Sequence, residues 1–193
     1  MEIKNLSEKA QDFTGNVWLI DGKEKVLVDA GTGDSWDQIK RLKNLEKVVI
    51  THSHYDHVDN LEKIVEKFGP DVYTETPGNL EVNAEKIIEG QTLNLSGTNF
   101  EVIKTPGHKD DSVCLYSKEK KILFTGDLIF PDGGFGRTDL DEGDRGKLIE
   151  SIEKIAELEV EEFYPGHGKP VKKNAEKFIQ ESLENAKRRE PKY

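Results

Sequence analysis

The order of apolar runs and amphipathic segments constrains the fold of this chain more than any other feature. In the first half, short runs such as residues 26–28 and 48–50 predict buried strands, and they alternate with segments whose apolar residues follow helical spacing. From residue 92 strands recur at short intervals, and amphipathic helices are predicted at 147–158 and 174–188. Two sheets packed together with helices outside satisfy this order, which predicts an α/β fold.

Size and charge narrow the class of protein. A chain of 193 residues fits one domain, so we predict a single catalytic domain over residues 1–193. The formal charge of −10 disfavours nucleic-acid binding, and the densest basic run, at residues 187–189, complements a helix dipole. The sequence shows no secretory signal and no apolar stretch of about 20 residues, so we expect a cytoplasmic protein with no membrane partner.

Three histidines and an aspartate lie within the six residues that follow the predicted strand 48–50. In an extended segment, residues two apart point the same way, so His52 and His54 can hold one ion. Asp56 and His57 lie at the turn into the next helix, displaced enough to serve a second ion. Imidazole and carboxylate ligands suit zinc, iron and manganese. The alternative is a histidine-rich surface loop.

The remaining histidines and two aspartates follow other predicted strands. His108 and His167 each stand in a Pro-Gly-His turn, which accounts for all five histidines. Asp127 lies in an apolar stretch where a buried charge needs a partner, so we predict that it bridges two metal ions; an ordinary turn aspartate is the alternative. Asp29 ends the strand 26–28 and is predicted to orient a ligand or the loop backbone, or to cap the strand.

This ordered set of residues resembles the metallo-β-lactamase superfamily over nearly the whole chain. The resemblance implies a four-layer αβ/βα sandwich with the metals at one edge. It also implies the ligand assignment: His52, His54 and His108 hold the first metal, Asp56, His57 and His167 hold the second, and Asp127 bridges them.

Within that superfamily, residues 124–130, 133–140 and 143–144 are similar to glyoxalase II-like hydrolases of the single-domain type. The Gly-rich part, residues 132–137, is predicted to be the longest irregular segment and to carry function. We do not expect the helical C-terminal domain with which full-length glyoxalase II enzymes help to bind glutathione.

The resemblance also implies two substrate-binding residues, Arg137 and Lys169. Arg137 stands where these enzymes place a basic residue for the carboxylate of the thiol. Their two loop tyrosines are replaced by Asp139 and Lys169, which puts glutathione as the thiol in question. The alternative for Arg137 is a structural salt bridge with Asp139, Asp144 or Asp29.

The implied activity is hydrolysis of a small thioester or ester such as S-D-lactoylglutathione. Two divalent ions, zinc before iron or manganese, would activate water. Asp56 and Asp127 are predicted to be catalytic by tuning that water and receiving its protons. Cys114, inside a predicted strand, is assigned to packing.

Three alternatives stay open. One is a persulfide dioxygenase, which uses a single iron held by two histidines and one aspartate. Another is a promiscuous hydrolase of lactones, β-lactams or phosphodiesters, although the antibiotic-hydrolysing members lack an aspartate bridge at the position of Asp127. The third is a metal-binding scaffold without catalysis, which would not require an open centre with two metals.

Overall fold

The computed structural model describes residues 1–188, so Arg189 of the basic run lies outside the described residues. The chain divides into two compact units, Met1–Val102 and Ile103–Tyr193. The single catalytic domain predicted from the sequence stays a prediction. Among the described residues, no helix has the length and apolar character needed to cross a membrane.

The first unit is built on a six-stranded sheet whose spatial order follows the chain. The first three strands are antiparallel, and the later ones run parallel. The strands are β1 (Glu2–Asn5), β2 (Trp18–Asp21), β3 (Lys25–Val28), β4 (Leu45–Val49), β5 (Asp71–Thr74) and β6 (Glu85–Lys86). The helices are α1 (Trp36–Ile39), α2 (Tyr55–Val58) and α3 (Leu61–Phe68), and a hairpin follows, of β7 (Thr92–Leu95) and β8 (Thr98–Lys104).

Hydrophobic periodicity explains how the elements of this unit pack. The apolar run of β4 lies between two parallel neighbours, so Val48 and Val49 are fully buried. On α3 the apolar residues share one face, and Leu61 and Ile64 pack in the core of the unit. The helix ends at Gly69, whose left-handed φ of 59° glycine adopts without steric cost.

The second unit centres on β10, which pairs antiparallel with β9 and parallel with β13. Every residue of β9 and β10 is buried, as their apolar sequences predict. Asp144 caps the first long helix by accepting a hydrogen bond from Lys147 N at 3.0 Å. The elements are β9 (Val113–Ser117), β10 (Ile122–Gly126), β11 (Ile129–Phe130), β12 (Gly134–Phe135), α4 (Arg145–Ala156), β13 (Glu162–Pro165) and α5 (Ala175–Arg188).

The Gly-rich segment 132–137 is not wholly irregular, and that prediction was wrong. Strands β11 and β12 pair as a small antiparallel ladder around a 3₁₀ turn, Pro131–Gly133. Asp132 and Gly133 both have positive φ, at 58° and 72°, which brings the two short strands side by side. A ladder this short has no hydrophobic period, so the sequence shows only its turn residues.

Other differences concern short elements at the edges. Strands β1 and β6 were not predicted, because their exposed or half-buried residues carry no apolar pattern. The apolar spacing of Trp36, Ile39 and Leu42 predicts a longer helix than α1, which ends at Ile39. The α/β class itself is confirmed by the mixed sheets and helices of both units.

Candidate metal centre

The seven candidate ligands all follow the carboxyl ends of strands, in loops or in the first turn of a helix. The first unit supplies four of them after β4, and the second supplies three, after β8, β10 and β13. They are His52, His54, Asp56 and His57 in the first unit, and His108, Asp127 and His167 in the second.

In the first unit the ligand segment is extended up to His54 and helical from Tyr55. The imidazole centroid of His52 lies 4.8 Å from that of His54 and 4.2 Å from that of His57. On the first turn of α2, His57 Nε2 lies 3.6 Å from Asp56 Oδ2. Because the chain changes from extended to helical within this segment, the three imidazoles and the carboxylate lie close to one another instead of pointing to opposite sides.

The carboxylate of Asp29 contacts both ends of this ligand segment, at Thr51 and at His57. Its Oδ1 accepts the backbone N–H of Thr51 at 2.7 Å, and its Oδ2 accepts the hydroxyl of Thr51 at 2.9 Å. The same Oδ2 lies 2.8 Å from His57 Nδ1, and His52 Nδ1 lies 3.1 Å from Thr51 Oγ1. These contacts favour protons on both Nδ1 atoms, which would make Nε2 the ligand atom of His52 and of His57 in a metal site.

In the second unit one carboxylate oxygen faces two imidazoles. Asp127 Oδ2 lies 3.4 Å from His108 Nε2 and 3.4 Å from His167 Nε2. The other ring nitrogen of His108 donates to the carbonyl oxygen of Arg137 at 2.8 Å, which again assigns Nε2 as the ligand atom. Asp127 and His108 are buried, whereas His167 is partly exposed.

The spacing of these atoms fits divalent metal ions. Nitrogen and oxygen ligands lie about 2.0–2.2 Å from zinc, so two ligands of one tetrahedral ion stand roughly 3.3–3.5 Å apart. The nitrogen–oxygen distances of 3.4 Å in the pairs His108–Asp127 and His167–Asp127 match this ligand–ligand distance. The Asp56–His57 pair, at 3.6 Å, is close to it. The donor set in each unit therefore fits metal ligation in chemistry and in spacing.

Two glycines support the ligands and were not identified from the sequence. Gly15 N donates to Asp56 O at 2.9 Å, and a Cβ on Gly15 would lie 2.8 Å from the His57 ring. A Cβ on Gly136 would clash with the carbonyl oxygen of Asp127 and lie 3.1 Å from His108 Cβ. Gly136 belongs to the Gly-rich motif, but Gly15 stands in a loop with no motif that could reveal it.

The structure pairs Arg137 with Asp139. Arg137 Nε and Nη2 donate to the two carboxylate oxygens of Asp139, each at 2.8 Å. This bidentate pair lowers the pKa of Asp139 to about 2 and raises that of Arg137. Asp144, another partner considered for Arg137, instead caps α4. The second predicted substrate-binding residue, Lys169, has an exposed side chain. The salt bridge predicted as the alternative for Arg137 is therefore present.

Cys114 is expected to resist alkylation in the folded protein. It lies fully buried in β9, and burial raises the pKa of its thiol to about 12. At pH 8 the thiol therefore stays protonated and shielded, whereas unfolding restores a pKa near 8.5. Mass spectrometry after iodoacetamide treatment should show modification only in denaturant. Rapid labelling of native protein at pH 8 would contradict the assignment of Cys114 to packing.

Comparison with known proteins identifies the family. The family model of the metallo-β-lactamase superfamily matches residues 10–167. The hydroxyacylglutathione hydrolase GloC of Haemophilus influenzae is 32% identical over 72% of this chain and 78% of its own length. The structure of TTHA1623 in a di-iron-bound form is 25% identical, covers 99% of both chains and has a TM-score of 0.74. The predicted metallo-β-lactamase fold is thereby confirmed.

A further relative differs in length from this chain. An atrochrysone carboxyl ACP thioesterase of Aspergillus fumigatus is 29% identical over 88% of this chain. The chain spans 55%, 60% and 62% of the length of three curated relatives that it matches. The match over residues 10–167 covers most of the sequence, and this chain belongs to the metallo-β-lactamase superfamily.

Proposed function

We propose that this protein is a metal-dependent hydrolase of small thioesters, with S-D-lactoylglutathione as the type substrate. The observation that carries the proposal is the position of Asp127 Oδ2, at 3.4 Å from the Nε2 atoms of both His108 and His167. One oxygen that faces two imidazole ligands suits a carboxylate that bridges two cations. Such a centre can activate water for attack on a thioester, because a neutral water is a poor nucleophile.

The proposed centre uses all seven candidate ligands and two divalent ions, with zinc before iron or manganese. Bound ions of this kind lower the pKa of a coordinated water and polarise a substrate carbonyl. The assignment follows the family pattern: His52, His54 and His108 for one ion, Asp56, His57 and His167 for the other, and Asp127 for both.

The protein's own side chains are proposed to accept a proton, to orient a ligand and to bind the substrate. Asp56 and Asp127 are proposed to accept the proton that water loses as its oxygen bonds to the acyl carbon. The carbon–sulfur bond then breaks, and the products are a carboxylate and a thiol. Asp29 keeps His57 in the tautomer whose Nε2 can bind metal, as its 2.8 Å contact with Nδ1 indicates. We assign Arg137 and Lys169 to the substrate-binding rim.

The relatives support the substrate class. GloC of Haemophilus influenzae is named a hydroxyacylglutathione hydrolase, and the Aspergillus relative is named a thioesterase. Both names describe the hydrolysis of an acyl–sulfur bond. The formal charge of −10 favours a small substrate over a nucleic acid, so we propose no nucleic-acid partner.

Metal analysis paired with a substrate panel tests this proposal. We expect roughly two metal ions per purified chain and cleavage of S-D-lactoylglutathione without oxygen uptake. The panel should include a lactone, a β-lactam, a phosphodiester and glutathione persulfide under the same conditions. Chelation with EDTA should abolish thioester cleavage, and Zn²⁺, Fe²⁺ or Mn²⁺ added separately should restore it to extents that rank the three metals.

Two outcomes would contradict the hydrolase. One tightly held iron, with oxygen uptake on glutathione persulfide and no thioester turnover, would identify a dioxygenase instead. Full metal occupancy with no turnover of any substrate would favour a scaffold. Slow cleavage of the lactone or β-lactam beside fast thioester cleavage agrees with the proposal, because one activated water can attack several acyl carbons.

A further inference from the structure

The two large hydrophobic side chains most exposed to solvent among residues 1–188 are the rings of Phe13 and Tyr55, at 78% and 68%. Exposed apolar side chains that are scattered singly over a surface are normal. These two are informative because of their position: Tyr55 lies inside the ligand segment, and Phe13 belongs to a loop, residues 12–16, that packs against this segment. The most exposed rings of the first unit therefore border candidate metal ligands.

Hydrogen bonds hold the backbone of this loop in place. Thr32 Oγ1 donates to the carbonyl oxygen of Phe13 at 2.8 Å, and Thr32 N donates to Thr14 Oγ1 at the same distance. Gly15 N donates to the carbonyl oxygen of Asp56 at 2.9 Å. The ring of Phe13 thus stands on a fixed backbone, and with only two side-chain torsions it loses little conformational entropy when a ligand covers it.

The loop also indicates the side on which Phe13 lies. From Phe13 to β2 the chain forms no helix or turn and has no positive φ, so its side chains alternate between two sides. The side chains of Thr14 and Asn16 bind the scaffold of the first unit. A Cβ on Gly15 would instead lie 2.8 Å from Nε2 of His57, the expected ligand atom. Phe13, two residues before Gly15, shares its side of the chain and is directed toward the candidate centre.

Phe13 is also close enough to His57 to reach a bound substrate. Its Cα lies at most about 7.6 Å from that of Gly15, because consecutive Cα atoms are about 3.8 Å apart. Gly15 itself packs on the imidazole of His57. An acyl chain of a few carbons, starting at a carbonyl held beside His57, therefore spans the distance to Phe13.

The chemistry of the ring suits the acyl half of a thioester better than the thiol half. The thiol arms of glutathione and of pantetheine are rich in amides, so they gain little from contact with an apolar ring. An alkyl or aryl acyl group gains more, because the contact removes its own apolar surface and that of the ring from water. Phe13 is therefore matched to an apolar acyl group.

We propose that Phe13 is a specificity-determining residue that packs against the acyl group, so that thioesters with apolar acyl chains of several carbons are preferred over those of acetate or lactate. The proposal rests on the thioester hydrolase activity proposed above and names its acyl class. Full burial of one methylene group strengthens binding about fourfold, so on an open rim we expect kcat/KM to rise roughly twofold per methylene.

The test compares acetyl, butyryl and hexanoyl thioesters of a single thiol, N-acetylcysteamine. In the parent protein the ratio of kcat/KM for hexanoyl over acetyl should be roughly 16-fold, from four methylene groups. Phe13→Ala should lower this ratio to about fourfold or less, whereas Phe13→Leu, which keeps an apolar side chain, should preserve most of it. Both substrates are measured on the same preparation, so a loss of folded or metal-loaded protein cancels in the ratio.

Three controls separate the acyl contact from other effects. Ile88→Ala removes an apolar side chain that is 57% exposed elsewhere in the first unit, and it should leave the ratio as in the parent protein. Added salt should not reduce the ratio, since the contact is apolar and is not screened. Isothermal titration calorimetry should show tighter binding of hexanoate than of acetate to the parent protein, and a smaller difference in Phe13→Ala.

The outcomes distinguish this inference from the function on which it rests. Thioester cleavage without a chain-length preference, or with the parent ratio in Phe13→Ala, would overturn the role of Phe13 and leave the hydrolase intact. A change in oligomeric state on size-exclusion chromatography of Phe13→Ala, with an unchanged ratio, would assign the ring to a protein contact instead. If no thioester is cleaved, the hydrolase fails, and the calorimetric comparison of hexanoate with acetate still decides whether Phe13 recognises an acyl chain.

Discussion

Replacement of Asp127 by asparagine should lower kcat/KM for a thioester by about 10²–10³-fold, the size of effect seen when one stabilising group of an active site is removed. The carboxylate oxygen that faces both His108 Nε2 and His167 Nε2 at 3.4 Å would be replaced by a neutral amide. An amide has one acceptor oxygen and no charge, so it would bridge two cations poorly. Metal content should fall from roughly two ions toward one per chain.

The matched control for this variant is Asp110→Asn. Asp110 is an exposed aspartate of the same unit, paired with Lys147 at 2.7 Å, and its loss should leave metal content and turnover close to those of the parent protein. Metal analysis and thioester kinetics on both variants give the comparison. Parent-like turnover in Asp127→Asn would refute the bridging role.

Asp29→Asn should reduce both metal affinity and stability. The carboxylate accepts two hydrogen bonds from Thr51 and faces His57 Nδ1, all between 2.7 and 2.9 Å. If the amide nitrogen replaces Oδ2, it would oppose the Nδ1–H of His57 and favour the tautomer that carries its proton on Nε2. We expect metal affinity to fall about 10–100-fold, and the free energy of unfolding to fall by about 1–3 kcal/mol.

Competition with a chromogenic chelator measures the first effect, and urea unfolding of the chelated protein measures the second. Asp37→Asn is the control, because Asp37 is an exposed residue of α1 whose carboxylate pairs with Lys40 at the surface of the same unit. A variant that binds metal as tightly as the parent protein would show that Asp29 only caps the end of β3 and does not orient His57. Lost metal affinity with unchanged stability would confine its role to the orientation of His57.

Sequence periodicity was sufficient to predict the strands and helices that build each core. The run 48–50 is apolar because the end of β4 is buried between parallel strands, and α3 shows its buried face in the spacing of Leu61 and Ile64. The ligand segment was found for a related reason. His52 and His54 are two apart in extended chain, and Asp56 and His57 begin a helix, so their local geometry follows from local sequence.

Features that depend on distant partners could not be predicted in this way. Strand β1 exists because its backbone pairs with β2, and its own residues show no apolar alternation. The contact of Gly15 with Asp56 joins segments about forty residues apart, and no motif marks it. The partner of Arg137 was left open among three aspartates, because the choice depends on the exact path of the β12–α4 connection.

The backbone at Asp29 affects how mutational data at this position should be interpreted. Its φ of 65° lies in the left-handed region, which glycine, asparagine and aspartate tolerate better than alanine. An alanine scan would therefore report backbone strain and the missing carboxylate as a single loss. Glycine is the proper reference residue here: the difference between glycine and alanine measures the strain, and the difference between glycine and aspartate measures the chemistry.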